Sequence, residues 1–274
     1  MKLNIENLHP GMLAILGIPS DENSSFLRGP ALAPDKIRQA LHSPSSNLGT
    51  ENGMDLGEDT RFRDLGDLVF EPGNPEVEQI EPQVRAILQQ GVRMISLGGD
   101  HAITFPLVQA HHQVYPTLNI LHLDAHPDLY DEFEGSRTSH ACPFARIMEQ
   151  GLAKRLVQVG IRLLNDHLRQ QAVRFGVEIV EMQAWQPDLR LEFSEPVYLS
   201  LDLDVLDPAF APGISHHEPG GLSTREVIRL LQNLRAQVIG ADIVEYNPLR
   251  DLNGVTAMVA AKLLKEIAAL MLRS

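Results

Sequence analysis

Three short stretches of the chain gather residues that bind metal ions or move protons. The first is Gly98-Gly99-Asp100-His101, at the end of an apolar run. The second is Asp124-Ala125-His126-Pro127-Asp128, and the third is Asp202-Leu203-Asp204 within the stretch SLDLDVLDPAFAPG at 200–213. Side chains two apart along an extended chain point the same way, so Asp124, His126 and Asp128 should share a face, as should Asp202 and Asp204. Carboxylates at that spacing would repel one another or go unsatisfied in a core, and a divalent cation removes both difficulties. The candidate ligands are therefore His101, Asp124, His126, Asp128, Asp202 and Asp204. Four carboxylates and two imidazoles are more than one ion usually takes. They suit two hard or borderline ions with some carboxylates shared. The lack of sulfur argues against a structural zinc site. The carboxylate content favours Mn2+, two per chain, with Ni2+ or Zn2+ as alternatives. His122 lies deeper on the same alternation and is expected to orient a ligand rather than to be one. Asp207, before Pro208, reads as a turn residue.

These motifs need strands that end together. Apolar runs at 12–18, 94–97, 119–123, 156–160, 178–181, 197–201 and 238–244 read as strands. Helical patterns lie at 34–42, 79–90, 102–112, 165–175 and 223–236, the last opening with the S-x-x-E spacing of a capping box at Ser223 and Glu226. Val255, Val259, Leu263, Ile267 and Leu270 recur at helical spacing, which predicts an amphipathic helix over 255–272. Strand and helix in alternation imply an α/β fold with a mostly parallel sheet covered on both faces. In such sheets ligands bind beyond the carboxyl ends of the strands. The chain reads as one domain, 1–274. Its longest irregular stretch, 43–60, is a candidate lip over the site.

Composition narrows the function class. The 274 residues are 43% hydrophobic and 22% charged, which is ordinary for a globular protein. A formal charge of −13 argues against nucleic-acid binding and suits cationic ligands. Lys2, Glu6 and His9 interrupt the N-terminus, and Lys262, Lys265 and Glu266 interrupt the apolar 255–272 stretch, so neither a secretory signal nor a membrane span is expected. Cys142 is the one cysteine, which excludes an internal disulfide and points to a cytoplasmic setting.

As a set, the motifs GGDH at 98–101, DAHPD at 124–128 and SLDLDVLDPAFAPG at 200–213 resemble the arginase/agmatinase (ureohydrolase) family. Gly17-Ile18-Pro19, Arg28-Gly29-Pro30 and Val244-Glu245-Tyr246-Asn247-Pro248 extend the match over nearly the whole chain, nearer to agmatinase-like members than to true arginases. The resemblance implies a three-layer α/β/α sandwich around an eight-stranded sheet, assembled as a homotrimer or homohexamer. It implies that His101, Asp124, Asp128 and Asp202 hold one Mn2+ and that Asp124, His126, Asp202 and Asp204 hold the other. It further implies that His140, in Ser139-His140-Ala141, shuttles a proton, that Glu245 binds the guanidinium, and that Asp128 orients the nucleophile.

The implied chemistry is hydrolysis of a guanidino group to urea and an amine. Bound metal lowers the pKa of water from 15.7 to about 7 and so supplies a nucleophile at neutral pH. An alkyl amide anion cannot leave, so a proton donor is required. For the substrate tail, Tyr130 stands where true arginases carry Asn, and Asn165 where they carry Asp, which turns the expectation away from L-arginine. Asp131, Glu132 and Glu134 point to agmatine, hydrolysed to putrescine and urea. Arg137 would instead suit a guanidino acid such as guanidinobutyrate or guanidinopropionate. The loop Ile214-Ser215-His216-His217 departs from the TGTPEPGG of many members, so His216 and His217 either line the pocket or face solvent. Three other readings stay open. One is a formimidoylglutamase on the same fold. Another is a deiminase using Cys142, whose bland reading is a packed residue before Pro143. The last is a catalytically inactive metal-binding homologue.

Overall fold

Runs with no polar side chain exposed become the middle of the sheet. In the computed structural model, which describes Leu3, Ile5 and residues 7–273, eight strands form. They are β1 (Leu13–Gly17), β2 (Phe62–Asp67), β3 (Arg93–Leu97), β4 (Asn119–Leu123), β5 (Leu156–Ile161), β6 (Glu178–Glu181), β7 (Val197–Asp202) and β8 (Val238–Val244). Every pairing is parallel, in the order β2-β1-β3-β8-β7-β4-β5-β6. Parallel strands covered on both faces read as continuous apolar runs, and β4, β7 and β8 are buried at every residue. The edge strand β2, FRDLGD, is polar and half exposed, and it lies outside the strands expected from the sequence.

Among the described residues seven α-helices cover the sheet: α1 (Ala33–Leu41), α2 (Glu76–Leu88), α3 (Thr104–Val114), α4 (Pro143–Glu149), α5 (Asp166–Phe175), α6 (Thr224–Asn233) and α7 (Val255–Arg273). One apolar layer joins Ile37 of α1, Val227 of α6 and Leu264 of α7 to one face. The other joins Val84 of α2, Leu107 of α3, Phe144 of α4 and Ala172 of α5 to the opposite face. This is the three-layer arrangement expected. The capping box at Ser223 and Glu226 starts α6, and the Asn165 side chain caps α5. No described helix is long and apolar enough to cross a membrane.

Two expectations need correction. The stretch 43–60 is no lip. It joins α1 to β2 over the outer surface of α6 and α7, and none of its residues lines the cavity at the metal motifs. There Lys265 Nζ donates to Asn47 O at 2.7 Å and Glu51 pairs with Arg225 at 2.7 Å. Nor do the metal motifs continue their strands. β4 ends at Leu123, and Asp204 sits in a 3-10 turn, Leu203–Val205. The carboxylates turn the chain by accepting backbone N–H groups: Asp202 Oδ1 takes Asp204 N at 2.8 Å, and Asp124 Oδ1 takes His126 N. Short acidic side chains favour such turns over extended pairing.

At Gly99 the turn after β3 lies close against the backbone of Ser20. The Gly99 carbonyl accepts Glu245 N at 2.9 Å, and a Cβ there would collide with the Ser20 carbonyl. Gly99→Ala should cost at least about 1–3 kcal/mol through overpacking and lower the Tm. An unchanged Tm would show that this contact does not hold the β3 turn in place.

Candidate metal centre and active site

The four central strands, β3, β8, β7 and β4, carry the site at their carboxyl ends. His101 follows β3, residues 124–128 follow β4, Asp202 ends β7 and Glu245 follows β8. All six expected ligands meet there. Asp124, Asp202 and Asp204 are buried, Asp128 is 8% exposed and His126 is half-buried. Asp128 and Glu245 hold positive φ values of 48° and 62°, a left-handed conformation that costs energy in non-glycine residues and clusters at functional sites.

Two nests of ligand atoms share Asp124. In the first, His101 Nδ1 lies 3.2 Å from Asp124 Oδ2, 3.0 Å from Asp128 Oδ2 and 3.2 Å from Asp202 Oδ2. In the second, His126 Nδ1 lies 2.9 Å from Asp204 Oδ2 and 3.3 Å from Asp124 Oδ1. Asp124 thus turns one oxygen to each nest. His122 also comes close enough to belong to the first, but its bonds are already made. Its Nε2 contacts Asp124 Oδ2 at 2.7 Å, and its Nδ1 accepts from Gln158 Nε2 at 3.0 Å. Its ring stacks on Phe144, with centroids 3.9 Å apart.

Whether cations fit can be read from the protons. Ser200 Oγ donates its only proton to Asp242 Oδ1 at 2.7 Å, so at its 2.9 Å contact with His101 Nε2 the ring is the donor. A neutral imidazole has one N–H. His101 Nδ1 then presents a lone pair, buried and without a hydrogen bond, to three carboxylate oxygens. That arrangement is repulsive unless a cation sits among them. In the metal-free protein a proton plays that part. Burial pulls His101 down, but Asp124, Asp128 and Asp202 outweigh it and raise it well above the ordinary histidine value. Burial, then the Asp204 and Asp124 charges, push Asp202 well up. Burial would raise Asp124 too, yet its His122, His101 and His126 partners hold it well down. The donor set fits two divalent ions.

Beside the metal nests lies a proton relay. His140 Nδ1 meets Glu245 Oε1 at 2.7 Å, and that oxygen also accepts His101 N at 2.9 Å. His140 Nε2 lies 3.2 Å from Ser25 N, from which it accepts when neutral, and 2.8 Å from Ser25 Oγ, to which it donates when protonated. Burial works against that proton, but Glu245, then Asp100 and Asp128, hold His140 up at about 9. The loop carrying Ser25 is tied down by Asp100, whose Oδ2 accepts Asn23 N at 3.0 Å and Ser24 Oγ at 3.1 Å. Burial, with the Glu245 charge, pushes Asp100 up to about 7.

A cavity of about 360 Å3 opens onto these groups. Its inner wall is charged, while Tyr130, Phe133, Leu163, Leu164, Asn165 and Leu168 line the outer part. Of the expected tail charges, Arg137 and Asp131 are spent elsewhere, since Arg137 pairs with Asp131 at 2.8 Å and with Glu149 at 2.9 Å. Asp131 also accepts Arg146 Nη2 at 3.0 Å. Of the two loop histidines, His216 lines the cavity, its ring centroid 5.4 Å from that of His140, whereas His217 is exposed and bonds Pro212 O. Asp207 is the turn residue expected, accepting Ala209 N and Gly220 N. Cys142 is buried at the start of α4 and pushed up to about 12, chiefly by burial, so it offers no thiolate at neutral pH.

The sequence reading missed Ser25, Gln158, Ser200 and Asp242 as working parts. Asp242 had a signal: it is the lone charge in VIGADIV, and a buried carboxylate needs donors. Ser25 had none, because only the fold brings it across 115 residues to His140.

The His140–Glu245 pair has a testable pH signature in the metal-free protein. A histidine raised from 6.5 to about 9 on folding adds stability that is complete below pH 6.5 and lost as pH rises through 9. The Tm gap between wild type and Glu245→Gln should therefore be wider at pH 6 than at pH 9.5. An equal gap at both would mean the pair does not share its proton.

With this geometry in view, comparison with known proteins is direct. The Arginase family model matches residues 12–270. Arginase 1, mitochondrial, of Arabidopsis thaliana is 50% identical over 93% of this chain and 80% of its own length. An agmatinase of Halalkalibacterium halodurans is 33% identical over 95% of this chain and 92% of its own. The structure of arginase from Medicago truncatula superposes with a TM-score of 0.88 at 44% identity, covering 95% of this chain and 87% of that one. The chain belongs to the arginase family, whose hydrolases act on guanidino groups.

Proposed function

We propose that the site hydrolyses L-arginine to ornithine and urea with two Mn2+ held by His101, Asp124, His126, Asp128, Asp202 and Asp204. The observation carrying the choice of substrate is the outer wall of the cavity. Asn165 Oδ1 caps α5 by accepting Leu168 N at 2.9 Å, and Asn165 Nδ2 donates to the Tyr130 hydroxyl at 2.7 Å. That leaves one amide N–H and the phenol O–H to donate into the cavity. Two donors suit a carboxylate. The carboxylates lining the cavity, Asp128, Asp202, Asp204 and Glu245, all belong to its inner end, so a tail ending only in an ammonium meets no anion. Relatives named arginase at about half identity support the same reading. Agmatine, the sequence expectation, keeps one support: Glu132 and Glu134 are exposed on the loop that carries Phe133.

In this reading Glu245 uses Oε1 for His140 and His101, and offers Oε2 to a guanidinium N–H. The metal pair, when bound, acidifies water at the centre. Asp128 accepts a hydrogen bond from the attacking oxygen. His140 carries a proton on Nε2 and delivers it to the departing nitrogen, and Ser25 Oγ holds that proton until then. Phe133, Leu163, Leu164 and Leu168 cover the methylene chain. The proposal includes a trimer or hexamer, readable by light scattering. It also includes a cytoplasmic setting, resting on the single buried thiol, although the Arabidopsis relative is named mitochondrial.

The test is urea release by the Mn2+-loaded protein from L-arginine, agmatine, 4-guanidinobutyrate and 3-guanidinopropionate side by side. L-Arginine should be the best substrate. Agmatine as the best would restore the sequence expectation. Formamide from formimidoylglutamate, or tight Mn2+ binding with no turnover, would replace the reading. Tyr130→Phe should raise KM for arginine roughly tenfold, about 1.4 kcal/mol, with little change in kcat. His140→Asn should lower kcat by about 10²–10⁴ while still holding two ions. An unaltered kcat would remove His140 from the proton path.

A further inference from the structure

One layer beneath the metal nests, a row of buried polar side chains crosses the middle strands of the sheet. In register from strand to strand stand Ser96 on β3, Asp242 on β8, Ser200 on β7, His122 on β4 and Gln158 on β5. All five are fully buried. Asp242 is its one acidic side chain. It lines neither the cavity at the metal nests nor the smaller one beside α3 and α4, and it belongs to neither nest. Three hydroxyls converge on it: Ser200 Oγ on Oδ1 at 2.7 Å, and Thr104 Oγ1 at 2.9 Å with Tyr198 OH at 2.8 Å on Oδ2. A carboxylate has no proton to return, so every one of these hydroxyls must donate.

We propose that Asp242 is a positioning residue which, through Ser200, fixes the tautomer of His101 and thereby keeps the metal position at His101 able to fill. The chain of donors allows one order. Asp242 takes the Ser200 proton, Ser200 Oγ can then only accept at its other contact, and His101 Nε2–H supplies that bond at 2.9 Å. Nδ1 is left with its lone pair toward Asp124, Asp128 and Asp202. Without the anchor the Ser200 proton could turn toward His101 Nε2, and the ring's proton would move to Nδ1, where it excludes a cation. A carboxylate acting at one remove on a ligating histidine typically changes metal affinity by about 10–100-fold. A purely architectural role for Asp242, tying α3 and β7 to β8 through Thr104 and Tyr198, would leave the tautomer and the metal affinity unaltered. This inference rests on His101 being a ligand.

Asp242→Asn is the sharpest variant. Its Oδ1 can keep the Thr104 and Tyr198 donors, which turns Nδ2 toward Ser200 and reverses the relay. Mn2+ titration of the full chain by calorimetry, with metal content measured after gel filtration, should show two ions in wild type. In Asp242→Asn one site should weaken by about 10–100-fold while the other is kept. Ser200→Ala, which keeps Asp242 with its other two donors, should weaken the same site. Ser200→Thr should restore it, and Thr104→Val should bind both ions as wild type does. Folded Asp242→Asn and Ser200→Ala proteins with wild-type affinity at both sites would overturn the proposal. Should Asp242→Asn not fold, Ser200→Ala against Ser200→Thr decides alone. His101→Ala separates the underlying reading: if it too keeps both sites, His101 is not a ligand and the metal assignment itself fails.

Discussion

Four buried aspartates crowd around two imidazoles at the carboxyl end of the sheet, and their mutual repulsion is the constraint to which the surrounding structure answers. No apolar packing can offset several uncompensated carboxylates out of water. Cations can, provided the ligand atoms converge and carry no competing protons. The turns at 124–128 and 202–204 supply convergence, because Asp124 and Asp202 bind the backbone N–H groups two residues on and curl each segment inward. The second condition falls to the buried polar row beneath, where Ser200 and Gln158 contact the imidazoles of His101 and His122. The left-handed backbone at Asp128 and Glu245 belongs to the same account. Strain at these two positions persists because the surrounding hydrogen bonds hold it in place.

The metal motifs and the layers of the fold were legible in the sequence for a simple reason. A parallel strand buried on both faces is mostly apolar, so β4, β7 and β8 stand out even though each carries an isolated polar residue, His122, Ser200 and Asp242. Acids placed directly after such runs have few uses in a core. The same logic hid β2. An edge strand is held by one neighbour and half faces water, so FRDLGD carries charges that read as loop. Alternation along a strand predicted that Asp124, His126 and Asp128 would share a face. They do meet, but by turn geometry, which simple periodicity does not describe. Relays between distant segments, such as Ser25 to His140, are set by three-dimensional proximity and leave no mark on local spacing.

The substrate end shows where reading charges from a sequence misleads. Asp131 and Arg137 looked like two rival handles for a charged tail, yet they chiefly answer each other, with Arg146 and Glu149 completing the cluster. The wall of the cavity is left with neutral donors whose directions follow from a helix cap. Asn165 is committed at Oδ1 to α5, which fixes its amide and, through it, the Tyr130 hydroxyl. Tail recognition is in this way coupled to the start of a helix on the outer layer. The chemistry of the guanidino group is coupled to the middle of the sheet.

Anomalous diffraction at the manganese edge, from crystals of the Mn2+-loaded protein, tests the central claim most directly. The account predicts two peaks per chain, one within bonding distance of His101 Nδ1 and one of His126 Nδ1, with Asp124 contacting both. A single peak, or peaks away from these nitrogens, would contradict it and leave the buried carboxylates without the cations that their arrangement requires.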